Sequence, residues 1–560
     1  MVEVRKGFVR TTRGEVHFRY GGRGPLLVML HDSPRSSALH APNIEWLGER
    51  CTVLAPDTPG YGNSTPLADP LEIPHYAAAL AEALGALGIG RCALYGFHTG
   101  AKIALHVAAA HPERVAVALL DGLALPEEPP DEDFLGRYLP ALTPSADGSH
   151  LASIWTRILD FHRSFPWFER TGASRLQLDL PDDRRLHEYA TDVLMAGRHW
   201  SDAYRAALRY RAGPTVGQLR TPAVYMARED DVLVGSLDRL PAPLPAGGRI
   251  ARLPAGDPLA WRRTILDSVA AARSVDRGFN PPPASADGQG QRYVELPAGQ
   301  QIRLRVLGDG GGAANTPVLM LHDSPGAAVD LLPLAGRLGQ DRRVVLPDLP
   351  GTGESQPLAS PTLGAFANAL AELLERLELA VVDVYAEGLA GPLALALAST
   401  RAGVVRRLVL DGMPVVRARE RRAMALQYAP ALRVDRFGSQ LHALWHQVRE
   451  AEFSWPWFSR AGAAARTRDP RIDAERLEAI LVELMKQPER YGDAARAAID
   501  ASVRTIAATV RQPTLLLHDP DDPRMARAAY VAGKLEAATL ERRPGDLNGV
   551  ARWCREFLAT

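Results

Sequence analysis

His98 is the side chain of this sequence best placed to move a proton. It stands in Gly96-Phe97-His98-Thr99-Gly100, where the apolar run Cys92–Tyr95 ends and the helically spaced stretch Thr99–Ala110 begins. Local propensity does not select a bulky imidazole at such a glycine-flanked turn. Imidazole exchanges protons near neutral pH, so His98 is suited to work as a general base or a hydrogen-bond donor. The start of the following helix carries partial positive charge, which is expected to lower the imidazole pKa and keep the ring neutral. The competing reading makes His98 one polar wall of a pocket that only binds a ligand. Further groups with chemical potential are His31-Asp32-Ser33 before Pro34, the pair Asp230-Asp231 after an apolar run, and Asp257 after Gly256. No ligand spacing demands a metal at His31, His98 and Asp257, and no cofactor is expected.

Much of this pattern occurs twice. His31-Asp32-Ser33-Pro34 returns as His322-Asp323-Ser324-Pro325, and Asp57 with Pro59-Gly60 and Gly62 returns as Asp348 with Pro350-Gly351 and Gly353, both at an offset of 291 residues. Leu120-Asp121-Gly122 returns as Leu410-Asp411-Gly412, and Pro166-Trp167-Phe168 as Pro456-Trp457-Phe458, at 290; Gly256-Asp257 returns as Gly545-Asp546, at 289. So small a drift over so long a unit marks a duplicated domain rather than a solenoid. At the turn itself the copies differ: the second reads Ala386-Glu387-Gly388-Leu389-Ala390, with nothing reactive at Gly388. Glycine enters strained turn geometry without a Cβ clash, so Gly388 relaxes a position that His98 holds for a reason. Glu387 matches Phe97, beside the central residue, and is a carboxylate that could face a pocket.

The elements that position these residues follow from hydrophobic patterning. Leu26–Leu30, Thr52–Ala55, Cys92–Tyr95, Val115–Leu120 and Ala223–Ala227 read as buried parallel strands. Their counterparts are Val318–Leu321, Val344–Leu346, Val381–Tyr385, Val405–Leu410 and Thr514–Leu517. Tyr76–Leu87 and Thr99–Ala110 have helical spacing. Alternation of this kind predicts an α/β, doubly wound, mostly parallel sheet in each half. A helix-rich insert over about 125–214, matched by about 415–505, interrupts the rhythm and is expected to form a lid over the sheet's carboxyl edge, where ligands bind. Trp155, Trp167, Trp445 and Trp457 within it read as lid core. Residues 273–291, rich in Pro, Gly, Ser and Asp, read as a linker, semi-rigid at Pro281-Pro282-Pro283, between domains at 1–272 and 292–560.

Composition limits the partners. At 560 residues, with 46% hydrophobic and 23% charged content, the chain is globular and long enough for two domains. Lys+Arg 65 balances Asp+Glu 65, leaving no basic surplus for nucleic acid or an anionic membrane. Cys51, Cys92 and Cys554 are too scattered for a disulfide framework or a zinc site. With no signal peptide and no apolar run of spanning length, a cytoplasmic protein acting on a small molecule is expected. Oligomeric state is not legible.

Over nearly all of both halves the residues resemble the α/β-hydrolase superfamily. The resemblance rests on the His-x-x-Pro loop after an early strand, on DTPGYGNS (Asp57–Ser64) and DLPGTGES (Asp348–Ser355), and on the strand–turn–helix that follows. It implies that His98 and Gly388 occupy the nucleophile position, normally Ser. It implies that Asp230 or Asp231, and Asp521 or Asp522, fill the acid position, and that Asp257 and Asp546 replace the late histidine. Backbone N–H groups around Asp32, Ser33 and Thr99 would form the oxyanion loop, and a carboxylate there would oppose developing negative charge. Because Asp323 persists beside an inert Gly388, a structural role is expected for this Asp, holding its loop by hydrogen bonds to local N–H groups. No Ser-His-Asp triad can be assembled in either half. Two classes of function follow: a hydrolase or lyase of a small organic substrate with His98 as base, Asp231 or Asp257 orienting it and an inactive second domain, or a catalytically silent tandem pseudohydrolase that binds a ligand or a partner protein.

Overall fold

The computed structural model describes residues 2–68, 71–281, 288–308 and 315–560. It divides into two compact units, Met1–Thr143 with Ile154–Pro283, and Ala284–Thr560 with Pro144–Ser153. In the first, strands β1 (Arg5–Thr11), β2 (Gly14–Gly22), β3 (Leu26–Leu30), β4 (Thr52–Pro56), β5 (Cys92–Phe97), β6 (Val115–Asp121), β7 (Ala223–Arg228) and β8 (Arg249–Leu253) form one sheet in the order β1-β2-β4-β3-β5-β6-β7-β8. β1 and β2 pair antiparallel, β2 meets β4 antiparallel, and every later neighbour is parallel.

The second unit repeats this order. β9 (Gly290–Glu295), β10 (Gln301–Leu307), β11 (Val318–Leu321), β12 (Val344–Pro347), β13 (Val382–Glu387), β14 (Val405–Asp411), β15 (Thr514–His518) and β16 (Ala538–Arg542) run β9-β10-β12-β11-β13-β14-β15-β16 across the sheet. Each sheet is therefore eight-stranded and mostly parallel, with helices on its flanks.

The period of two in β3 explains why both faces are covered. Leu26, Val28 and Leu30 pack with Leu80, Ile103 and Val107 of the Ile73–Ala86 and Thr99–Ala110 helices. Leu27 and Met29 pack with Ile44, Leu47, Ile265 and Val269 of the Ala41–Leu47 and Pro258–Ala271 helices. A strand apolar at every position has no solvent face, and each such side chain contributes roughly 1.5–3 kcal/mol on burial.

Between β6 and β7 lie the helices Glu132–Tyr138, Ser149–Phe161, Asp183–Ala196, Asp202–Arg209 and Ala212–Gly217, the region read as a lid. Trp155 and Trp445 are buried, and Trp167 and Trp457 donate Nε1–H to Tyr138 O at 2.9 Å and Tyr428 O at 2.8 Å. The start of the segment read as linker is fastened to the first unit: Asp276 Oδ2 accepts from the N–H of Gly90 and Arg91, and Phe279 packs on Phe18 and Tyr20. Pro282 and Pro283 lie outside the described residues.

Candidate active site

The turn after β5 is built by its glycines. A Cβ on Gly96 would run into the Gly100 carbonyl, and one on Gly100 would lie 2.6 Å from Leu30 O. The backbone therefore turns too tightly for any residue but glycine at these two positions flanking the turn. His98 itself has φ 47 and ψ −104, a conformation disfavoured for L side chains and costing about 1–3 kcal/mol. Its N–H is tied to Asp121 O at 2.9 Å, and Thr99, buried, opens the following helix. The surrounding structure thus holds the strained imidazole at the carboxyl edge of the sheet.

There it meets a carboxylate. His98 Nε2 and Asp231 Oδ2 are 2.9 Å apart, with the imidazole 29% exposed and the Asp231 side chain 4% exposed. Asp231 also accepts from Leu233 N–H at 2.8 Å. The His98 ring stacks on Phe97 at 4.0 Å between centroids. Gly122, at φ +61, lies so close that a Cβ there would strike the ring and sit 2.7 Å from Nε2.

Burial works to lower the His98 pKa, but the Asp231 hydrogen bond and charge, joined by Asp32 and Asp121, outweigh it and raise the pKa. This corrects the expectation of a pKa lowered by the helix end: three carboxylates face one partial positive charge. For Asp231, burial pushes up, but the hydrogen bond and charge of His98 prevail and lower its pKa. Asp121, buried with Tyr95 O–H and Trp261 Nε1–H each donating at 2.7 Å, is pushed up to about 6, by burial above all.

Other candidates are placed elsewhere. Asp257 caps the Pro258–Ala271 helix, its Oδ1 accepting from Leu259 and Ala260 N–H at 2.9 and 3.0 Å. Of the two carboxylates offered for His98, the structure brings Asp231 to it and gives Asp257 to a helix end. Asp230 pairs with Arg228 at 3.0 Å. His31 is bound through both ring nitrogens: Nδ1–H donates to Asp32 O at 2.7 Å and Nε2 accepts from Thr58 N–H at 2.9 Å. It braces two loops and has no free nitrogen for chemistry. Ser33 is buried beside it. Asp32 Oδ1 is buried without a hydrogen-bond partner among the described residues, and burial, against Arg35, His98 and His31, raises the Asp32 pKa. Among the described residues no group of three or more His, Cys, Asp or Glu could hold a metal ion.

Sequence reasoning passed over several neighbours. Asp121 was visible only as part of the repeated Leu-Asp-Gly. Arg35 and Asp192 form a buried pair at 2.8 Å, with Ser36 also donating to Asp192, and the Arg35 guanidinium lies over Tyr189. Tyr189 and Tyr204 have phenol pKas raised chiefly by burial, with the Asp32 charge adding. These partners come from the helical insert, and no spacing in the sequence links them to His98.

At the corresponding place in the second unit stands an ion pair. Gly388 has φ 57, and a Cβ there would collide with Arg524 and with Asp323 Oδ1. Asp323 Oδ1 accepts from the N–H of Ser324 and of Leu389, both at 2.8 Å, and its other oxygen pairs with Arg524. The carboxylate therefore occupies the donors that an oxyanion would need. Asp522, fully buried, pairs with Arg466 at 3.0 Å. Asp521 is exposed near Arg542. Asp546 caps the Leu547–Ala559 helix through Gly549 N–H, as Asp257 caps its own. Glu387 lines a cavity rather than turning away from it.

The model of the alpha/beta hydrolase fold family matches residues 25–238, so the N-terminal half contains an α/β-hydrolase domain. The two sheets described above fit a two-domain arrangement of that fold. The chain is 34% identical over 105 residues to a pimeloyl-(acyl-carrier protein) methyl ester esterase of Xanthomonas campestris pv. campestris (strain B100), covering 19% of this chain and 40% of that protein. It is 31% identical over 111 residues to haloalkane dehalogenase 2 of Mycobacterium bovis (strain ATCC BAA-935 / AF2122/97), covering 20% and 39%. The chain thus spans about 40% of the length of the curated relatives it matches. Among solved structures, a hydrolase from Pseudomonas aeruginosa PA01 aligns at TM-score 0.37 and 20% identity over 48% of this chain and 98% of that one. Among the described residues no helix is long and apolar enough to cross a membrane.

Proposed function

We propose that the first domain is a hydrolase, or a lyase, of a small organic substrate, with His98 as its proton-transfer group and Asp231 as the group that orients it. The observation that carries this reading is the 2.9 Å contact between His98 Nε2 and Asp231 at a strained, glycine-walled turn. With Nε2–H donated to Asp231, the lone pair for base catalysis is on Nδ1, which no described residue hydrogen-bonds. His98 would take a proton from water, or from a carbon acid of the substrate, through Nδ1. Asp231 would support the imidazolium formed. The activities in the names of the relatives, ester cleavage and dehalogenation, suggest a small ester or a related substrate. The second domain has Gly388 where His98 stands and contributes no base in this reading.

A second reading, the silent tandem protein, is favoured by one observation. Both halves keep an Asp at the loop where an oxyanion would be held, and in the second half that carboxylate takes both backbone donors. The test is turnover by the full chain against a panel of small esters, amides and activated carbon–carbon substrates, with His98→Ala beside it. Activity that disappears in His98→Ala is expected; undiminished activity in that variant would defeat the first reading, and no turnover of any panel substrate by the unaltered chain would favour the second.

A further inference from the structure

We propose that the second domain binds a compact oxyanion, the carboxylate or phosphate group of a small molecule, in the cavity between the Gly388 turn and the Ser439–Glu450 and Ala474–Met485 helices. This site is separate from His98 and does not depend on its chemistry. The cavity has about 60 Å³ of free space, several times the roughly 10–15 Å³ that one water needs. Five arginines line it, Arg466, Arg468, Arg471, Arg476 and Arg524, against four carboxylates.

These arginines are not equally used. Arg476 gives Nε–H and an NH2 group to Asp330, and another donor to the Arg471 carbonyl. Arg468, Arg471 and Arg524 use their NH2 groups on Glu452, Asp330 and Asp323, but their Nε–H groups are buried with no hydrogen-bond partner among the described residues. Buried donors left unpaired are costly, and an incoming oxyanion is the group that satisfies them. Crowding of like charge adds to this. Burial, followed by the repulsion of Arg466 and then that of Arg471 and Arg524, pushes Arg468 down to about 10, although Glu452 opposes the shift.

The fourth carboxylate, Glu387, is set apart from these pairs. Glu387 has no ion pair or hydrogen bond among the described residues. Burial, with Asp330, Asp323 and Asp411 adding and Arg471 opposing, pushes it up to about 6. The site also contains its own precedent: Asp323 is a carboxylate held by two backbone N–H groups and Arg524. With that position filled, the guest would lie against Arg466, Arg468 and Arg471. Guanidinium forks suit planar carboxylate and tetrahedral phosphate alike.

The full chain titrated calorimetrically with succinate and, separately, with inorganic phosphate distinguishes the two sources. At least one should bind, the two should compete if both do, and Arg468→Gln or Arg471→Gln should weaken binding by roughly tenfold or more. A footprint on the unaltered chain keeps the test independent of how the variants fold. Phenylglyoxal labelling read by mass spectrometry should show Arg468 and Arg471 protected by the anion that binds, while exposed arginines of the first domain such as Arg184 are not. Heat from neither anion, or binding with no selective protection of these arginines, would overturn the proposal.

Discussion

The two turns that follow β5 and β13 share one backbone plan and hold opposite contents. In the first, an imidazole sits at φ 47 against Asp231; in the second, a glycine at φ 57 leaves room for Arg524 and Asp323. Asp231 and Asp522 descend from matching loops, yet one faces a histidine and the other an arginine. Where a titratable base meets a carboxylate, charge can change with pH. Where a permanently charged guanidinium meets one, it cannot. The comparison separates what the fold requires from what each site does. Asp57 and Asp348, Tyr95 with Asp121 and Tyr385 with Asp411, and the two helix-capping Asp residues recur in both halves and are architecture. His98 and the arginine cavity belong to one half each.

The largest expected effect breaks the comparison at its chemical end. His98→Ala should lower turnover of an identified substrate by roughly a hundredfold to ten-thousandfold, the range for loss of a general base. The unfolding midpoint should fall, because alanine keeps the Cβ that strains the turn and leaves the buried Asp231 without its partner; circular dichroism on heating checks that.

Breaking the other end should cost stability and leave chemistry alone. Arg524→Met leaves the part-buried Asp323 carboxylate without its ion pair and should destabilise the second domain by about 1–3 kcal/mol in urea unfolding. First-domain turnover should be unchanged, and any turnover should also survive Asp521→Ala; a parallel loss of activity would show chemistry in the second domain.

The pH profile sharpens the contrast. As a base, His98 works when neutral, so kcat/KM should rise with pH along a limb lying above the ordinary histidine value of about 6.5. Asp231→Asn removes the charge that raises the His98 pKa and leaves burial, which lowers it, so that limb should move to lower pH as the maximal rate falls. The sign for stability is the reverse for His98. Its raised folded pKa contributes stability that is fully present below the unfolded value and is lost as pH rises through the folded one. Asp231, with a lowered pKa, contributes above its unfolded value and loses that contribution as pH falls through the folded one. The pair therefore stabilises most between those limits, and chemical denaturation at several pH values, wild type against Asp231→Asn, measures it.

The smallest effect concerns the late carboxylates. Asp257→Ala and Asp546→Ala should each cost about 1 kcal/mol, as for any lost helix cap, with turnover untouched. A steep rate loss in Asp257→Ala alone would return it to the site beside His98.

Much of the fold was legible because its signals are local. β3 and β11 begin and end where their apolar runs do, and the other strands predicted from apolar runs differ from theirs by only a residue or two. The strands β1, β2, β8, β9, β10 and β16 were not read. They are the outer strands of each sheet, and several are only half-buried, so their residues show no continuous apolar run.

By itself, the sequence determined the repeated motifs, the parallel cores and the glycine-walled turn that carries His98. All three follow from spacing along one stretch of chain. Only the tertiary structure decided that Asp231 rather than Asp257 meets His98, that Asp32 and Asp121 raise its pKa, and that Arg524 and Asp323 fill the space above Gly388. Those outcomes depend on loops from separate strands converging at one sheet edge. A carboxylate's partner there is set by distance and burial in three dimensions, which no interval between residue numbers encodes.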